Sequence, residues 1–456
     1  MKNNPKPSRV ILVCLDQLRP FELGCYGHPE VKTPHIDRLA ADGVRFEVAV
    51  SNNPVCTPAR SILTSGQYSR TCAGMMGNWG APERQRDRFP APTFPEVLAD
   101  HGFTSGHVGK WHVHVHPHLL GFSNYPSVED AGGATYFPAD KSSGGHSSNP
   151  YGPEGEEALL RDYLTNRPAD GATYLFHNIH LPHGPWRDAG AWLHRHDQRP
   201  VHLRPNIPAD IPRETLDHWA KTYHFGGGKE AKATYPLAHD YAIDDFHRHY
   251  CAAIERADQG VGVLIEELEK RGELESTLLI FTSDHGENLG SHGLFNKESM
   301  NEESIRIPLI FDWPEKLKPG VRKKAVASLV DIPPTILGLL GLAAPGHFQG
   351  RDLSAIVRGE VETLEPNEAF IEGMQDDIAI RTPDFLYGMK MRGGWNNVPK
   401  REVADAAFQC YDLRTDPYQR DNLARRNALP PETAALRERL LEWNKTTPWL
   451  NEVQSK

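Results

Sequence analysis

Two short apolar runs, each followed directly by an acidic residue, constrain the fold of this 456-residue chain most strongly. Residues 10–15 have the sequence VILVCL, and residues 277–283 have the sequence TLLIFTS. A continuous apolar run of this length is typical of a strand that is buried on both faces of a parallel sheet. The carboxyl ends of such strands meet at one edge of the sheet, where open α/β folds bind their ligands.

Patterns of helix and strand alternate through residues 1–365, as expected for an α/β domain. Besides the two runs and a helix that follows Cys56, we predict a strand at 172–179 and helices at 34–42, 93–102 and 240–270. The predicted fold of residues 1–365 is α/β, with a large mixed, mostly parallel sheet sandwiched by helices.

The pattern changes near residue 365, after which short strands follow one another. They are predicted around 368–371, 377–381, 386–392 and 407–412, with a polar helix near 431–444. Residues 366–456 are therefore expected to form a smaller C-terminal subdomain, an antiparallel sheet with one packing helix.

Side chains that can bind a metal ion follow both apolar runs. Asp16 and Gln17 follow the first run, and Asp284 and His285 follow the second. Because both pairs lie at the same predicted sheet edge, we expect all of these donors around one point. Oxygen donors suit a hard divalent cation such as Ca²⁺ or Mg²⁺, and the imidazole leaves Mn²⁺ open. The alternative for an aspartate at a strand end is that it caps the next helix.

A short C-x-P-x-R sequence, which runs from Cys56 to Arg60, stands ahead of another apolar stretch. Pro58 suits the first turn of a helix, because it has no N–H group to leave unpaired. Cys56 is therefore expected just ahead of a helix N-terminus, where free N–H groups and the helix dipole favour an anion. Arg60 adds a positive charge one turn later. The alternative is that Cys56 is a small buried apolar residue.

The C-x-P-x-R sequence, followed here by SGQ, resembles the signature of the type I, formylglycine-dependent sulfatases of the alkaline phosphatase superfamily. Other segments are similar to further blocks of that family, and they lie at 109–112 (GKWH), 180–185 (HLPHGP), 283–311, 331–337 (DIPPTIL), 350–353 (GRDL) and 411–417 (YDLRTDP). The resemblance covers most of the chain and implies the same α/β fold with a small C-terminal antiparallel sheet.

The resemblance also implies a set of site residues. A maturation enzyme would oxidise Cys56 to formylglycine. The implied metal site consists of Asp16, Gln17, Cys56, Asp284 and His285, with Ca²⁺ as the expected ion and Mg²⁺ or Mn²⁺ as alternatives. The implied catalytic residues are Cys56, Arg60, Lys110, His112, His183 and Lys297.

Hydrolysis of a sulfate monoester makes three demands on such a site. The anionic sulfate must be neutralised, and the resemblance gives this task to the metal, Lys110, Lys297 and Arg60. The resemblance implies that the nucleophile is a hydrated formylglycine, whose second hydroxyl His112 would hold and deprotonate. The leaving group needs a proton, which the resemblance assigns to His183.

Two departures from the family pattern bear on the substrate. Many members have a second aspartate where this chain has Gln17, and an Asp-Gln with an Asp-His also occurs in the phosphonate and phosphodiester hydrolase branch. The sequence SGQYSRT at 65–71 is similar to choline sulfatases, whereas Lys110 and His112 match mainstream sulfatases. We expect a sulfuric ester hydrolase whose substrate is a small sulfated saccharide. The alternatives are a phosphonate or phosphodiester hydrolase, a choline-sulfatase-like enzyme, and a non-catalytic sulfate-binding protein.

Several neighbouring residues allow two interpretations. The sequence HVHVHPH at 112–118 alternates as a strand would, which favours either a second metal site or a strand end that delivers His112 inward. His180 is expected to be a structural histidine. Trp186 and Arg187 either line a sugar subsite or belong to a surface loop. Residues 123–155 are expected to form a loop over the site, and residues 187–237 to determine specificity.

Charge and composition exclude other classes of function. The formal net charge of −10 and the absence of an extended basic run argue against nucleic acid as a partner. The six cysteines have no framework spacing, which fits a reducing compartment. No signal peptide is visible, so we expect a cytoplasmic protein, or a periplasmic or secreted one if the natural chain begins earlier. The longest apolar stretch, 328–344, is interrupted by Asp331 and two prolines and predicts no membrane span.

Overall fold

A computed structural model of the protein describes residues 9–78, 88–123, 135–136, 152–168, 170–225, 241–392 and 402–450. These residues form a large mixed sheet and a separate four-stranded sheet. The strands of the large sheet are β1 (Arg9–Asp16), β2 (Val44–Val50), β3 (Phe103–Lys110), β4 (Thr135–Tyr136), β5 (Ala172–Pro182), β6 (Thr277–Ser283), β7 (Arg306–Ile307), β8 (Leu309–Asp312) and β9 (Val321–Ser328). The strands of the small sheet are β10 (Ala369–Glu372), β11 (Asp377–Arg381), β12 (Phe385–Met391) and β13 (Val403–Asp412).

The α-helices within the described ranges cover both faces of the large sheet and one side of the small one. They are α1 (Pro34–Asp42), α2 (Cys56–Ser65), α3 (Ser69–Cys72), α4 (Phe94–Asp100), α5 (Gly152–Asn166), α6 (Arg213–Phe225), α7 (Ile243–Lys270), α8 (Glu302–Ile305), α9 (Ile332–Leu339), α10 (Ser354–Arg358) and α11 (Thr433–Thr446).

The large sheet has the strand order β4-β3-β5-β1-β6-β8-β2-β7, and β9 pairs with β2. Strands β4, β3, β5, β1 and β6 run parallel to one another, whereas β8 runs antiparallel to both β6 and β2. The small sheet is antiparallel throughout. Because β1 lies between β5 and β6, the carboxyl ends of these three strands meet at one sheet edge.

Strand β1 is apolar without interruption because both of its faces are buried. Its even-numbered apolar residues, from Val10 to Cys14, pack in one cluster with residues of α2, α4 and α9. Its odd-numbered apolar residues, from Ile11 to Leu15, pack in a second cluster with residues of α1 and α7. Alternate strand residues point to opposite faces, so each face of the sheet receives its own helical layer.

The predicted α/β fold and the small antiparallel sheet are both confirmed. The predicted helices and strands are present, with ends that differ by a few residues, the largest difference being at β13, which begins at Val403. Helix α2 begins at Cys56 itself rather than after it. The boundary at residue 365 stays a prediction, since residues of the large sheet and of α11 pack in the same apolar cluster.

One local prediction is wrong. The alternating histidines do not form a strand, because β3 ends at Lys110 and the next regular element is a 3₁₀ turn at Pro117–Leu120. His112 adopts a φ of 46°, which a strand does not allow. Most of the predicted loop 123–155 and the end of segment 187–237 lie outside the described residues. The six cysteines are free, and no helix in the described ranges is long and apolar enough to cross a bilayer.

Arg70 in α3 joins the helical layer of the large sheet to the C-terminal part of the chain. Its guanidinium is fully buried and forms an ion pair with Glu372 at the end of β10. It also donates a hydrogen bond of 2.7 Å to Asn444 of α11 and lies 4.4 and 4.6 Å from the ring centroids of Trp443 and Trp449. A buried charge needs partners, and the side chains that the Arg70 guanidinium contacts here all lie in the C-terminal part.

We expect Arg70→Met to lower the free energy of unfolding by about 3–5 kcal/mol, because Glu372 would keep a buried charge without its partner. Urea denaturation measures this change. Arg358→Met is the matched control, since its ion pair with Glu360 is exposed and exposed ion pairs contribute little to stability. Equal stability of the two variants would contradict the junction role of Arg70.

Candidate active site

The predicted metal-binding residues of β1 and β6 do converge. Leu15 pairs with Ser283, and the Asp284 N–H donates to the Leu15 carbonyl at 3.2 Å, so both strands end side by side. Consecutive strand residues would point to opposite faces. Gln17 escapes this alternation because its φ is 68°, and its N–H donates to the Asp284 carboxylate at 3.0 Å. Asp16 and Gln17 therefore serve the same site.

Four possible metal ligands are gathered within this site and are fully buried. The ligand atoms of Asp16, Cys56, Asp284 and His285 all lie within 4.8 Å of one another. The Nδ1 atom of His285 donates to the Gly286 carbonyl at 2.9 Å, which leaves Nε2 available as a ligand. This is the one such group in the part of the chain that the structure describes, and its donors fit a divalent cation.

Cys56 stands at the centre of the site, at the first residue of α2. Its Sγ atom lies 2.9 Å from Lys297 Nζ and 3.2 Å from His285 Nε2. Burial raises the pKa of the thiol, but Lys297, Lys110 and His285 outweigh it and hold that pKa well below its usual value. Position 56 therefore favours an anion strongly.

Arg60 contacts both metal-site carboxylates. Its Nη2 atom lies 3.2 Å from an Asp16 oxygen and 3.0 Å from an Asp284 oxygen, and Nη1 donates to the Asn178 side chain and to the Lys110 carbonyl. The sequence predicted that Arg60 neutralises the substrate. That role stays a prediction, and the contacts that both Nη atoms make within the described residues are with protein groups.

Lys110 reaches the site from the end of β3, where its ammonium forms an ion pair with Asp16. Gly109 allows the approach, because a Cβ atom there would lie 1.8 Å from the Asn178 carbonyl oxygen and because its φ is 93°. Burial and Cys56 raise the pKa of Asp16, but Lys110, His183 and Arg60 outweigh them and hold it well below its usual range. Asp16 is thus an anionic ligand.

Two histidines lie at the half-exposed side of the site. Burial lowers the pKa of His112 to about 4, although its hydrogen bond with Cys56 opposes this, so the imidazole is neutral and can accept a proton. The Nδ1 atom of His183 donates to the Gly184 carbonyl at 2.6 Å, which leaves Nε2 for other partners. Burial and Lys110 lower the pKa of His183 as well.

Two further expectations, a sugar subsite at Trp186 and a second metal site at the histidine run, do not hold, whereas the one for His180 does. Trp186 lines no subsite, because it is 1 % exposed, stacks on Tyr223 and donates to the Pro182 carbonyl. Within the described ranges, the histidine run supplies no second group of three or more converging ligands. His180 is buried in the core, as expected for a structural histidine.

Two buried polar residues that support the site were not predicted from the sequence. Asn178, in the middle of apolar β5, accepts from Arg60 and contacts His107 at 2.8 Å. Glu287 accepts a hydrogen bond from the Gln17 amide. The sequence offered a signal for each of them. Asn178 is a polar residue within a predicted buried strand, and Glu287 is an acidic residue only two positions after the predicted ligand His285.

Residues 8–342 match the sulfatase family, and residues 290–446 match the N-sulphoglucosamine sulphohydrolase C-terminal family. The chain belongs to the sulfatase family. The sulfatase is 28 % identical over 450 residues to an ulvan-active sulfatase of Formosa agariphila, covering 92 % of this chain and 78 % of that one. It is 24 % identical over 486 residues to an N-acetylglucosamine-6-O-sulfatase of Bacteroides thetaiotaomicron, covering 92 % and 83 %. It is therefore a sulfuric ester hydrolase.

Solved structures share the fold of this sulfatase. A putative sulfatase from Bacteroides fragilis aligns with a TM-score of 0.73 at 22 % identity, over 99 % of both chains. A structure in complex with D-glucosamine-2-N,6-O-disulfate aligns with a TM-score of 0.71 at 23 % identity, over 99 % of this chain and 98 % of that one. The phosphonate monoester hydrolase of Agrobacterium radiobacter aligns with a TM-score of 0.67 at 20 % identity, over 98 % of this chain and 95 % of that one.

We expect a divalent cation to raise the melting temperature of the chelator-treated sulfatase, because it binds the folded state alone. At 100 times its Kd the ion would add about 2.7 kcal/mol of stability. Differential scanning calorimetry with Ca²⁺, Mg²⁺ and Mn²⁺ measures the effect, and Asp284→Asn is expected to abolish it.

Asp312→Asn is the matched control, because Asp312 is also buried but pairs with Leu279 at the opposite end of β6. It is expected to keep the full cation effect. A cation effect that survives in Asp284→Asn would contradict the assigned metal site.

Proposed function

We propose that this sulfatase hydrolyses a sulfate ester of a carbohydrate, with Cys56 matured to formylglycine and a divalent metal held by Asp16, Gln17, Asp284 and His285. The observation that carries the proposal is the position of the Cys56 Sγ atom, which contacts both His285 of the metal site and Lys297. The names of the two relatives, which refer to ulvan and to N-acetylglucosamine 6-O-sulfate, support a saccharide substrate.

A hydrated formylglycine at position 56 would supply a hydroxyl nucleophile, and the metal would lower the pKa of that hydroxyl and neutralise sulfate oxygens. We propose Ca²⁺ as the ion, since most of the donors are oxygens. The His285 imidazole keeps Mn²⁺ as an alternative, and Mg²⁺ is a further one.

Lys297 and Lys110 bind the sulfate group. Burial lowers the pKa of Lys297, but Cys56 and Asp16 outweigh it and keep that pKa above its usual value, so the side chain is cationic. Both ammonium groups are buried beside position 56, where water screens their charge weakly. Positive charge fixed in advance at such a place stabilises the charge that develops on the sulfate oxygens.

His112 and His183 move protons. His112, neutral because of its lowered pKa, is able to accept a proton from the side chain at position 56, with which it shares a hydrogen bond. His183 is the candidate acid for the leaving oxygen, since it lies at the half-exposed side of the site and has Nε2 available. A bound sulfate offsets the lysine charges that lower the pKa of His183, which favours its protonated form when substrate is present.

Hydrolysis of a phosphonate monoester or phosphodiester is the second candidate. The donor set that favours it is Asp16 and Gln17 with Asp284 and His285, in which residue 17 is an amide. A choline-sulfatase-like activity would use the same residues. These candidates predict faster turnover of an aryl phosphonate or of choline sulfate than of any sulfated sugar.

The test is sulfate release from sulfated mono- and oligosaccharides by protein co-expressed with a formylglycine-generating enzyme. Ion chromatography measures the release, and peptide mass reports the state of residue 56. Cys56→Ala is expected to abolish turnover and to keep the fold, because it removes the nucleophile without adding bulk. Cys56→Ala with near-native rates would contradict the formylglycine mechanism. Phosphonate turnover without sulfate release would favour the second candidate.

Lys297→Ala is expected to lower kcat/KM by about 100- to 1,000-fold, because it removes a buried cation from the sulfate site. Steady-state kinetics on the best saccharide of the panel measure the change. Lys323→Ala is the matched control, since Lys323 is also buried but pairs with Glu362 at the surface, and it is expected to keep kcat/KM within about twofold. Similar kinetics for the two variants would remove Lys297 from the site.

A further inference from the structure

The Gln17 side chain lies between a cation and an anion. Its Oε1 atom accepts a hydrogen bond of 3.0 Å from Lys297 Nζ, and its Nε2 atom donates to the Glu287 carboxylate. All three side chains are buried. The two ends of one amide are thus tied to two groups that differ in charge and in hydrogen-bonding role.

These two partners fix the orientation of the amide. An ammonium group only donates hydrogen bonds, and a carboxylate only accepts them. Lys297 therefore requires the amide oxygen, and Glu287 requires the amide nitrogen. The oxygen of Gln17 consequently faces the side of the site where Lys297, Cys56 and the metal-site residues lie.

Glu287 is itself held rigidly as an acceptor. Its Oε1 atom accepts from the Leu289 N–H at 2.9 Å, from the Asn296 N–H at 2.6 Å and from the Tyr223 hydroxyl at 2.7 Å. Burial and Glu287 raise the pKa of Tyr223 well above its usual value, so this hydroxyl keeps its proton and donates. The other oxygen of Glu287 is left for Gln17.

We propose that Glu287 is a positioning residue, which orients the Gln17 amide oxygen toward the metal and makes an amide, rather than a carboxylate, the favoured group at position 17. A glutamate at position 17 would set two carboxylates against each other in a buried place, where both cannot be ionised at low cost. The inference rests on the proposed metal site and assigns to residue 287 a role in ligand orientation that metal binding alone can test.

The first test is Ca²⁺ and Mn²⁺ titration of chelator-treated, unmatured protein by isothermal calorimetry, with no substrate present. Glu287→Gln is expected to weaken metal binding by about 10- to 100-fold, the usual cost of losing the partner of a metal ligand. The reason is that a glutamine at position 287 can donate as well as accept, so that Lys297 alone would hold the orientation of the Gln17 amide. Glu255→Gln is the control, because Glu255 is a buried carboxylate of α7 that pairs with His196 and Arg199, and it is expected to leave metal affinity unchanged.

The second test reverses the polarity of the pair. Gln17→Glu alone is expected to weaken metal binding at least tenfold, because it opposes two carboxylates. The double variant Gln17→Glu with Glu287→Gln restores one donor and one acceptor at unchanged total charge, and it is expected to recover at least tenfold of that affinity. If Glu287→Gln fails to fold, as judged by its melting temperature, this pair of variants decides.

Unchanged metal affinity in folded Glu287→Gln, or a double variant no better than Gln17→Glu, would overturn the proposal. Neither result depends on sulfate release. If metal affinity depends on Glu287 but no sulfate ester is hydrolysed, this inference is supported and the proposed function is contradicted. If the protein is an active sulfatase and its metal affinity does not depend on residue 287, the proposed function is supported and this inference is contradicted.

Discussion

The Arg60 guanidinium between Asp16 and Asp284 is the interaction on which the rest of the site depends. Two carboxylates from neighbouring strand ends are buried together, which costs several kcal/mol per ion in the absence of partners. Arg60 supplies the opposite charge to both at once, and Lys110 adds a second cation on Asp16. These contacts also fix the position of Cys56, because one short helix, α2, carries both Arg60 and Cys56.

Backbone strain is concentrated around the same point. Gln17, His112, Asn296 and Glu298 have positive φ angles of 68°, 46°, 65° and 79°, which non-glycine residues rarely adopt. Each such residue costs about 1–3 kcal/mol and persists when its surroundings determine it. Here the strain turns Gln17 and Lys297 inward from segments that would otherwise alternate away from the site. The buried ion pairs and hydrogen bonds are what keep these conformations in place.

The strand ends were predictable because their physics is local. An apolar run that ends in an acidic residue indicates a buried strand and a ligand at its carboxyl end, whatever the rest of the chain does. The site positions of Lys110, His112 and Lys297 came only through a family resemblance, since their spacing along the chain indicates no common location. The strand predicted for the alternating histidines was wrong. Alternation of His and Val fits the pattern of a strand, but β3 already ends at Lys110.

The orientation of side chains was beyond sequence reasoning. Arg60 was placed at the site correctly, but its direction depends on Asn178 and on the register between β3 and β5, which no local pattern encodes. Trp186 has a side chain of the kind that stacks on sugars, but in the folded chain its face is already covered by Tyr223. Glu287 contributes through an oxygen that only the three-dimensional arrangement directs at Gln17.

The charges of the site explain why an amide at position 17 is compatible with sulfate chemistry. Asp16 and Asp284 together carry the charge that a divalent metal cancels, and Arg60 lies behind them. In the proposed mechanism, Lys110 and Lys297 then remain to act on the anionic sulfate. A third carboxylate beside Lys297 would offset one of these two cations and weaken the field on the substrate. A neutral amide oxygen at position 17 would ligate the metal without that loss, and Glu287 lies on the far side of the amide, where its oxygen accepts from N–H and O–H donors.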